Sequence, residues 1–401
     1  MDSNSNRYRW VVEGSLLPIQ IALGLNFLAP APLFPFIMQD FGLERGIVSL
    51  LVASVTVMMA MIMLPASVLA PKIGLKRSLA LGCLLMSSGV LIPLNSSFAN
   101  LLLLRILFGV GAGIVLPMTS AMVAQWFSPK ELPLINGINV ASQSVGVAIS
   151  MFLAVPVGSL LGWQWVFCIF GIFTFVGFVL WLFVGRENAS MSDSIGFSSR
   201  GVLFEVVRLR STILLQLAVA GMFAAYVAFS TWLPVFFNEV RGLSLTHASN
   251  VVGILPVVGI VATICGGVFP AKLGLRRPFL IFPGIIFSVA SLGVVFLDSL
   301  LLMYLCVIVM GIAGWIYLPS IFTIPMELSG MTPEKVGVMT AATLAVGNFA
   351  SFLSPILVGF TTDILGSYAP AFTFFAVGSL TVVVAGILLP ETGPKGAPKS
   401  Q

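Results

Sequence analysis

The sequence predicts an all-α membrane protein of twelve transmembrane helices, arranged as two six-helix bundles related by pseudo-symmetry. Three observations carry this. Of the 401 residues, 58% are hydrophobic and 8% are charged, against roughly 25% charged in a soluble domain, so most of the surface must face lipid. The apolar residues fall in runs long enough to cross a bilayer as helices, about 20 residues each, without the ten-residue alternation of a membrane barrel. A basic turn, Pro71-Lys72-Ile73-Gly74-Leu75-Lys76-Arg77-Ser78, returns as Ala271-Lys272-Leu273-Gly274-Leu275-Arg276-Arg277-Pro278, and a repeat on that scale reads as a duplicated half.

In chain order, residues 1–10 are polar and carry Arg7 and Arg9. The first apolar run, 11–37, is longer than the core of a cleaved signal peptide, so it is expected to stay as the first span. Runs at 47–70, 79–97, 101–124, 137–160 and 165–184 complete one half. The stretch 186–211 is the longest charged segment, and six more runs follow at 212–237, 248–270, 279–297, 300–325, 336–361 and 370–389. The predicted division is therefore an N-terminal bundle, 1–185, a linker, 186–211, and a C-terminal bundle, 212–401. Within the linker, 201–210 alternates apolar and charged residues; this suits a short helix lying at the membrane interface and equally a plain connection into span seven.

Charge sets the orientation. Sixteen of the nineteen Lys and Arg fall on the side that holds both termini, the two basic turns and the linker; Arg45 and Arg241 fall on the other, and Arg105 lies inside a span. Positive charge marks the cytoplasmic side, so a multi-pass protein of the plasma membrane with both ends in the cytoplasm is expected. The same distribution makes the basic residues a topology signal and not a nucleic-acid surface. Cys83, Cys168, Cys265 and Cys306 stand alone in apolar runs, without metal or redox spacing, and are expected to pack as small apolar residues. No phosphate-binding Gly-Lys-Ser/Thr loop, zinc motif or nucleophile elbow occurs in the sequence, so neither an enzyme nor a cofactor is expected.

Several motifs carry a resemblance. The twin turns match a loop pattern in which Gly is followed four residues later by Asp, then a basic residue, Gly and paired basic residues; Gly267 supplies the first Gly in the second half and Ser67 stands there in the first. Span four reads Leu104-Arg105-Ile106-Leu107-Phe108-Gly109-Val110-Gly111-Ala112-Gly113, and span five ends in Leu161-Gly162-Trp163-Gln164-Trp165-Val166-Phe167. Together these resemble the major facilitator superfamily over the whole chain. The stretch from Phe108 to Pro117, Gln125-Trp126-Phe127 and the 161–167 corner are similar to its cyanate-permease-like and nitrate/nitrite-like bacterial members. The resemblance implies a secondary transporter in which two bundles rock about a central site. It also implies a departure: Pro71 and Ala271 replace the loop Asp, which in the family helps latch the cytoplasmic gate.

Candidate site residues are those that break the apolar pattern. Arg105 is the one charge well inside a span. Its fixed fork of donors would suit an anion; the competing reading is a structural bond to helix one, or snorkelling. Gln20 and Asn26 in span one, Asn139 and Gln143 on one face of span five and Asn348 in span eleven either line a cavity or bond between helices. Tyr226, Trp315 and Tyr317 on spans seven and ten offer apolar rings with a polar tip. Lys72, Arg77, Arg276 and Arg277 are assigned to topology and gating, with Glu327 as a gate partner for the basic turns. Glu13, Glu327 and His247, all near span ends, are the available proton carriers.

The expected function is active or facilitative transport of a small solute, an organic or inorganic anion, with a proton or a counter-anion as co-substrate. The bilayer is the other partner, and the chain is expected to act as a monomer. The alternatives are efflux of apolar drug-like compounds, which 17 Met and 32 Phe would suit, and a membrane sensor that transports nothing.

Overall fold

Among the residues described by the computed structural model, 3–94, 97–128, 131–188 and 200–395, twelve helices are long and apolar enough to cross a membrane. Spans one to six are Tyr8–Phe27, Arg45–Ser67, Leu75–Leu94, Phe98–Trp126, Leu134–Leu161 and Trp163–Val184. Spans seven to twelve are Arg210–Glu239, Leu245–Leu273, Pro278–Phe296, Leu300–Glu327, Lys335–Leu365 and Ala369–Leu388. Each apolar run of the sequence overlaps one of these helices.

Proline chemistry explains two of the helix breaks. The first run is not one helix to residue 37: the first helix, Ser3–Phe27, ends, and a second, Pro30–Phe41, begins with Pro at its start. Pro30 and Pro32 have no N–H to donate to the carbonyls four residues back. Span ten is likewise two helices, Leu300–Ile316 and Leu318–Glu327, with Pro319 in the first turn of the second.

The chain forms two compact units, one of Met1–Phe197 with Pro234–Gly253, the other of Ser198–Leu233 with Ile254–Gln401. In the first unit, spans one and five cross backbone against backbone. A Cβ on Gly24 would stand 1.9 Å from the Gln143 carbonyl oxygen, and one on Gly146 2.1 Å from that of Ile21. The buried side chains around them include Leu16, Ile19, Leu23, Phe108, Met118 and Trp181. Arg45 also meets Glu239 at 2.9 Å in this unit. In the second unit, Phe229 stacks on Phe372 with ring centroids 4.5 Å apart. The linker holds a helix, Arg200–Val207, in which Val206 is buried and Glu205 accepts from the Lys335 ammonium of span eleven.

The duplication extends to hydrogen bonds. In the first unit Glu187 Oε1 accepts the Lys76 backbone N–H at 2.7 Å. In the second, Glu391 accepts the Arg276 and Arg277 N–H groups at 2.7 and 3.1 Å. Each basic turn opens a helix, whose first N–H groups lack internal partners; the carboxylate that follows the sixth span of each half supplies one.

Candidate functional site

Arg105 is 2% exposed. Its Nε donates to the Leu51 carbonyl at 2.9 Å, and its two terminal nitrogens donate to the carbonyls of Asn26 (2.8 Å) and Phe27 (3.0 Å). The last two are carbonyls at the end of the first helix. In a continuous helix Asn26 would receive the N–H of residue 30 and Phe27 that of residue 31. Pro30 has none, and the Ala31 N–H goes to Leu28 instead. Arg105 therefore closes the break in span one, with Phe108 and Phe167 flanking the guanidinium at 5.0 and 5.9 Å from their ring centroids. All three donor groups face main-chain carbonyls, so of the two readings of Arg105 the geometry favours the bond to helix one.

Gln20, Asn26 and Asn139 each donate within the first unit. Gln20 Nε2 donates to the Thr119 hydroxyl at 2.8 Å. Asn26 Nδ2 reaches Ala22 O, Phe170 O and the Thr174 hydroxyl at 3.0–3.3 Å. Asn139 Nδ2 donates to Glu13 Oε1 at 2.8 Å. Gln143 is half-buried, with its carbonyl against Gly24. These contacts join spans one, four, five and six, the role of interhelical glue.

The second unit differs. Tyr226 on span seven stands edge-on to Trp315 on span ten, ring centroids 5.5 Å apart, because Gly314 lets the tyrosine ring come within 3.0 Å of where a Cβ would sit. Gly259 on span eight makes room for the Trp315 ring in the same way, at 2.5 Å. Tyr317 occupies the break in span ten and is fully buried. Tyr317 Oη and Ser320 Oγ are buried without a hydrogen-bond partner among the described residues, while Trp315 Nε1 and, one turn beyond Tyr226, Ser230 Oγ are buried facing the Tyr226 hydroxyl. Buried donors are normally paired, and here the Tyr226, Trp315, Tyr317, Ser230 and Ser320 polar atoms collect on two neighbouring spans. Asn348 is half-buried and bonds the Leu344 carbonyl of its own helix at 3.1 Å. The aromatic trio is readable in the sequence; Ser230 and Ser320 are two among many serines, and only the i, i+4 relation of Ser230 to Tyr226 marks the first.

The gating residues sort by partner. Arg276 meets Glu327 through Nε and a terminal nitrogen, at 2.6 Å for the shortest contact. That hydrogen-bonded carboxylate raises the Arg276 pKa above its ordinary value. Glu327 also accepts from the Thr392 hydroxyl at 2.8 Å. Arg277 donates to the carbonyls of Gly386 and Ile387 at 2.8 and 2.6 Å. The pairing of Glu327 with a basic turn is thus present, and all of its members lie within the second unit. Arg77 is exposed. The Lys72 side chain lies outside the described residues.

The sequence profile described as Major Facilitator Superfamily matches residues 16–354. The chain belongs to that superfamily. This superfamily member is 25% identical over 372 residues to the hexuronate transporter of Bacillus subtilis (strain 168), covering 87% of this chain and 86% of that protein. It is 23% identical over 369 residues to the probable nitrate transporter NarT of Staphylococcus epidermidis (strain ATCC 35984 / DSM 28319 / BCRC 17069 / CCUG 31568 / BM 3577 / RP62A), covering 90% and 91%. A solved bacterial homolog of the human lysosomal transporter Spinster, inward-facing and unoccupied, superposes with a TM-score of 0.76 at 17% identity over 95% of this chain and 96% of its own. This superfamily protein is a multi-pass membrane transporter, not an enzyme.

Proposed function

We propose that this transporter carries a small anion bearing a planar oxygen group, a carboxylate or nitrate, and binds it through neutral donors of the second unit. The observation that carries the reading is a group of buried polar atoms on spans seven and ten: Tyr317 Oη and Ser320 Oγ, without a hydrogen-bond partner among the described residues, and Trp315 Nε1 and Ser230 Oγ beside the Tyr226 hydroxyl. Tyr317 stands between the two helices of span ten, and its carbonyl takes the Ser320 and Ile321 N–H groups, so side chains and not main-chain N–H groups are the donors on offer. The ten-residue helix Leu318–Glu327 begins at this break. Hexuronate and nitrate, named for two relatives, share the planar oxygen group that such donors fit. Arg105 takes part by holding span one. The site opens to one side of the membrane at a time, and the substrate crosses the plasma membrane with the two termini of the chain in the cytoplasm.

The test is binding of D-glucuronate and nitrate to the purified protein, wild type against Trp315→Phe. The variant keeps an aromatic ring and removes the donor, so affinity for both anions is expected to fall about tenfold while the protein still folds. Equal affinities in the two proteins, or stabilisation by bulky apolar cations and not by anions, would overturn the assignment.

A further inference from the structure

Glu13 is 3% exposed in span one, and Asn139 is 5% exposed in span five. Asn139 Nδ2 donates to Glu13 Oε1 at 2.8 Å and to the Ile135 carbonyl at 3.0 Å. That leaves Glu13 Oε2 and Asn139 Oδ1, both buried and both without a hydrogen-bond partner among the described residues. Both are acceptors when the carboxyl is ionised, and neither can satisfy the other. One proton on Oε2 changes this. The acid O–H can then donate to the amide oxygen while the amide N–H donates to the acid carbonyl, a ring of two hydrogen bonds that uses every polar atom of the pair.

Among the described residues no charged side chain is hydrogen-bonded to the pair. Span one packs on spans four, five and six. On span four the only charge is Arg105, held by three carbonyls. Span five carries no charged residue, and Cys168 is the only titratable group of span six. At the inner end of span one, Arg9 reaches both oxygens of Glu131, at 3.0 and 3.1 Å, the Tyr8 hydroxyl donates to Val184 O, and Arg186 lies over the Tyr8 ring. The side chains of Arg7 and Lys130 lie outside the described residues. A metal cation would need several more oxygens, and no group of three acidic, histidine or cysteine residues occurs among the described residues; a proton needs one oxygen.

We infer that Glu13, paired with Asn139, is the proton-binding site of this carrier, and that a proton crosses the membrane with the anion. This rests on the carrier reading above. The proton enters Oε2, makes the acid–amide ring with Asn139, and leaves from Oε2 when the site opens to the other side. A proton and a monovalent anion move together as a neutral pair, so the proton gradient drives accumulation.

Two measurements on the purified full-length protein test it. Dicyclohexylcarbodiimide attacks protonated carboxyls in apolar surroundings, and the modified residue is read by peptide mass spectrometry. Glu13 is expected to be labelled in mildly acidic buffer and to fall to background in alkaline buffer. In liposomes with a trapped pH dye, a D-glucuronate or nitrate gradient is expected to drive protons in the same direction. Glu13→Gln, whose amide mimics the protonated acid and can close the same ring, is expected to keep the wild-type melting temperature and move no protons; Glu13→Asp is expected to restore the movement. An unlabelled Glu13 at every pH, or wild-type proton movement in Glu13→Gln, would overturn the inference. A wild type that exchanges neither probe would sink the carrier reading instead, and the labelling would still decide the proton site.

Discussion

Removing Arg105 should loosen the protein before it touches any substrate. Its three bonds, to Leu51, Asn26 and Phe27, run from 2.8 to 3.0 Å and are buried. A bond to a charged group contributes about 1.5–3 kcal/mol in soluble proteins, and interhelical bonds in membranes average about 0.6 kcal/mol, so the three together are set at about 2–5 kcal/mol. Arg105→Ala strands the carbonyls that Pro30 and Ala31 do not serve. Arg105→Lys fares little better, since one ammonium cannot reproduce a planar fork across three acceptors. Both variants should melt several degrees lower in detergent, followed by fluorescence or circular dichroism. The mechanism has its own control. Pro30→Ala returns an N–H facing the Asn26 carbonyl, so the loss caused by Arg105→Ala should shrink in the Pro30→Ala background, a double-mutant coupling. An Arg105→Ala protein with wild-type melting and abolished anion binding would refute the clamp and restore Arg105 as a ligand.

Further outcomes follow from other contacts. Gly24→Ala places a methyl 1.9 Å from the Gln143 carbonyl; spans one and five must part, at a cost of about 3 kcal/mol, read as a lower melting temperature or lost expression. Glu391→Ala removes the acceptor for the N–H groups of Arg276 and Arg277 and should destabilise by about 1 kcal/mol, measured by thermal unfolding. The Glu131 carboxyl is held below its ordinary pKa by hydrogen bonds from Ser128 and by Arg9. Its pairing with Arg9 is therefore fully present above the ordinary carboxylate range and is lost as pH falls through the lowered value. Glu131→Gln should remove that acid-side dependence from the melting profile.

Much of the fold was legible because lipid leaves few solutions. Twelve long apolar runs must be helices, and the turns at 71–78 and 271–278 announced the duplication. The partners of those turns were not legible, because Glu187 and Glu391 sit far away in sequence and carry no motif that names their target. The first run was read too long: Pro30 and Pro32 were visible, but apolar residues continued on both sides of the break. Arg105 shows how far a lone charge can be read. Its rarity marked it, yet its role depended on two orphaned carbonyls in another span, which only the folded chain brings to it. The aromatic set did better, since Tyr226 and Trp315 do meet. Their significance came from an accounting of buried polar atoms, which sequence does not contain.

Exchange of labelled anion in liposomes containing only this protein tests the central claim most directly. The account predicts saturable counterflow of D-glucuronate or nitrate, each competing with the other, and weaker competition in Trp315→Phe. Exchange of neither anion, alongside movement of a bulky apolar cation, would contradict it.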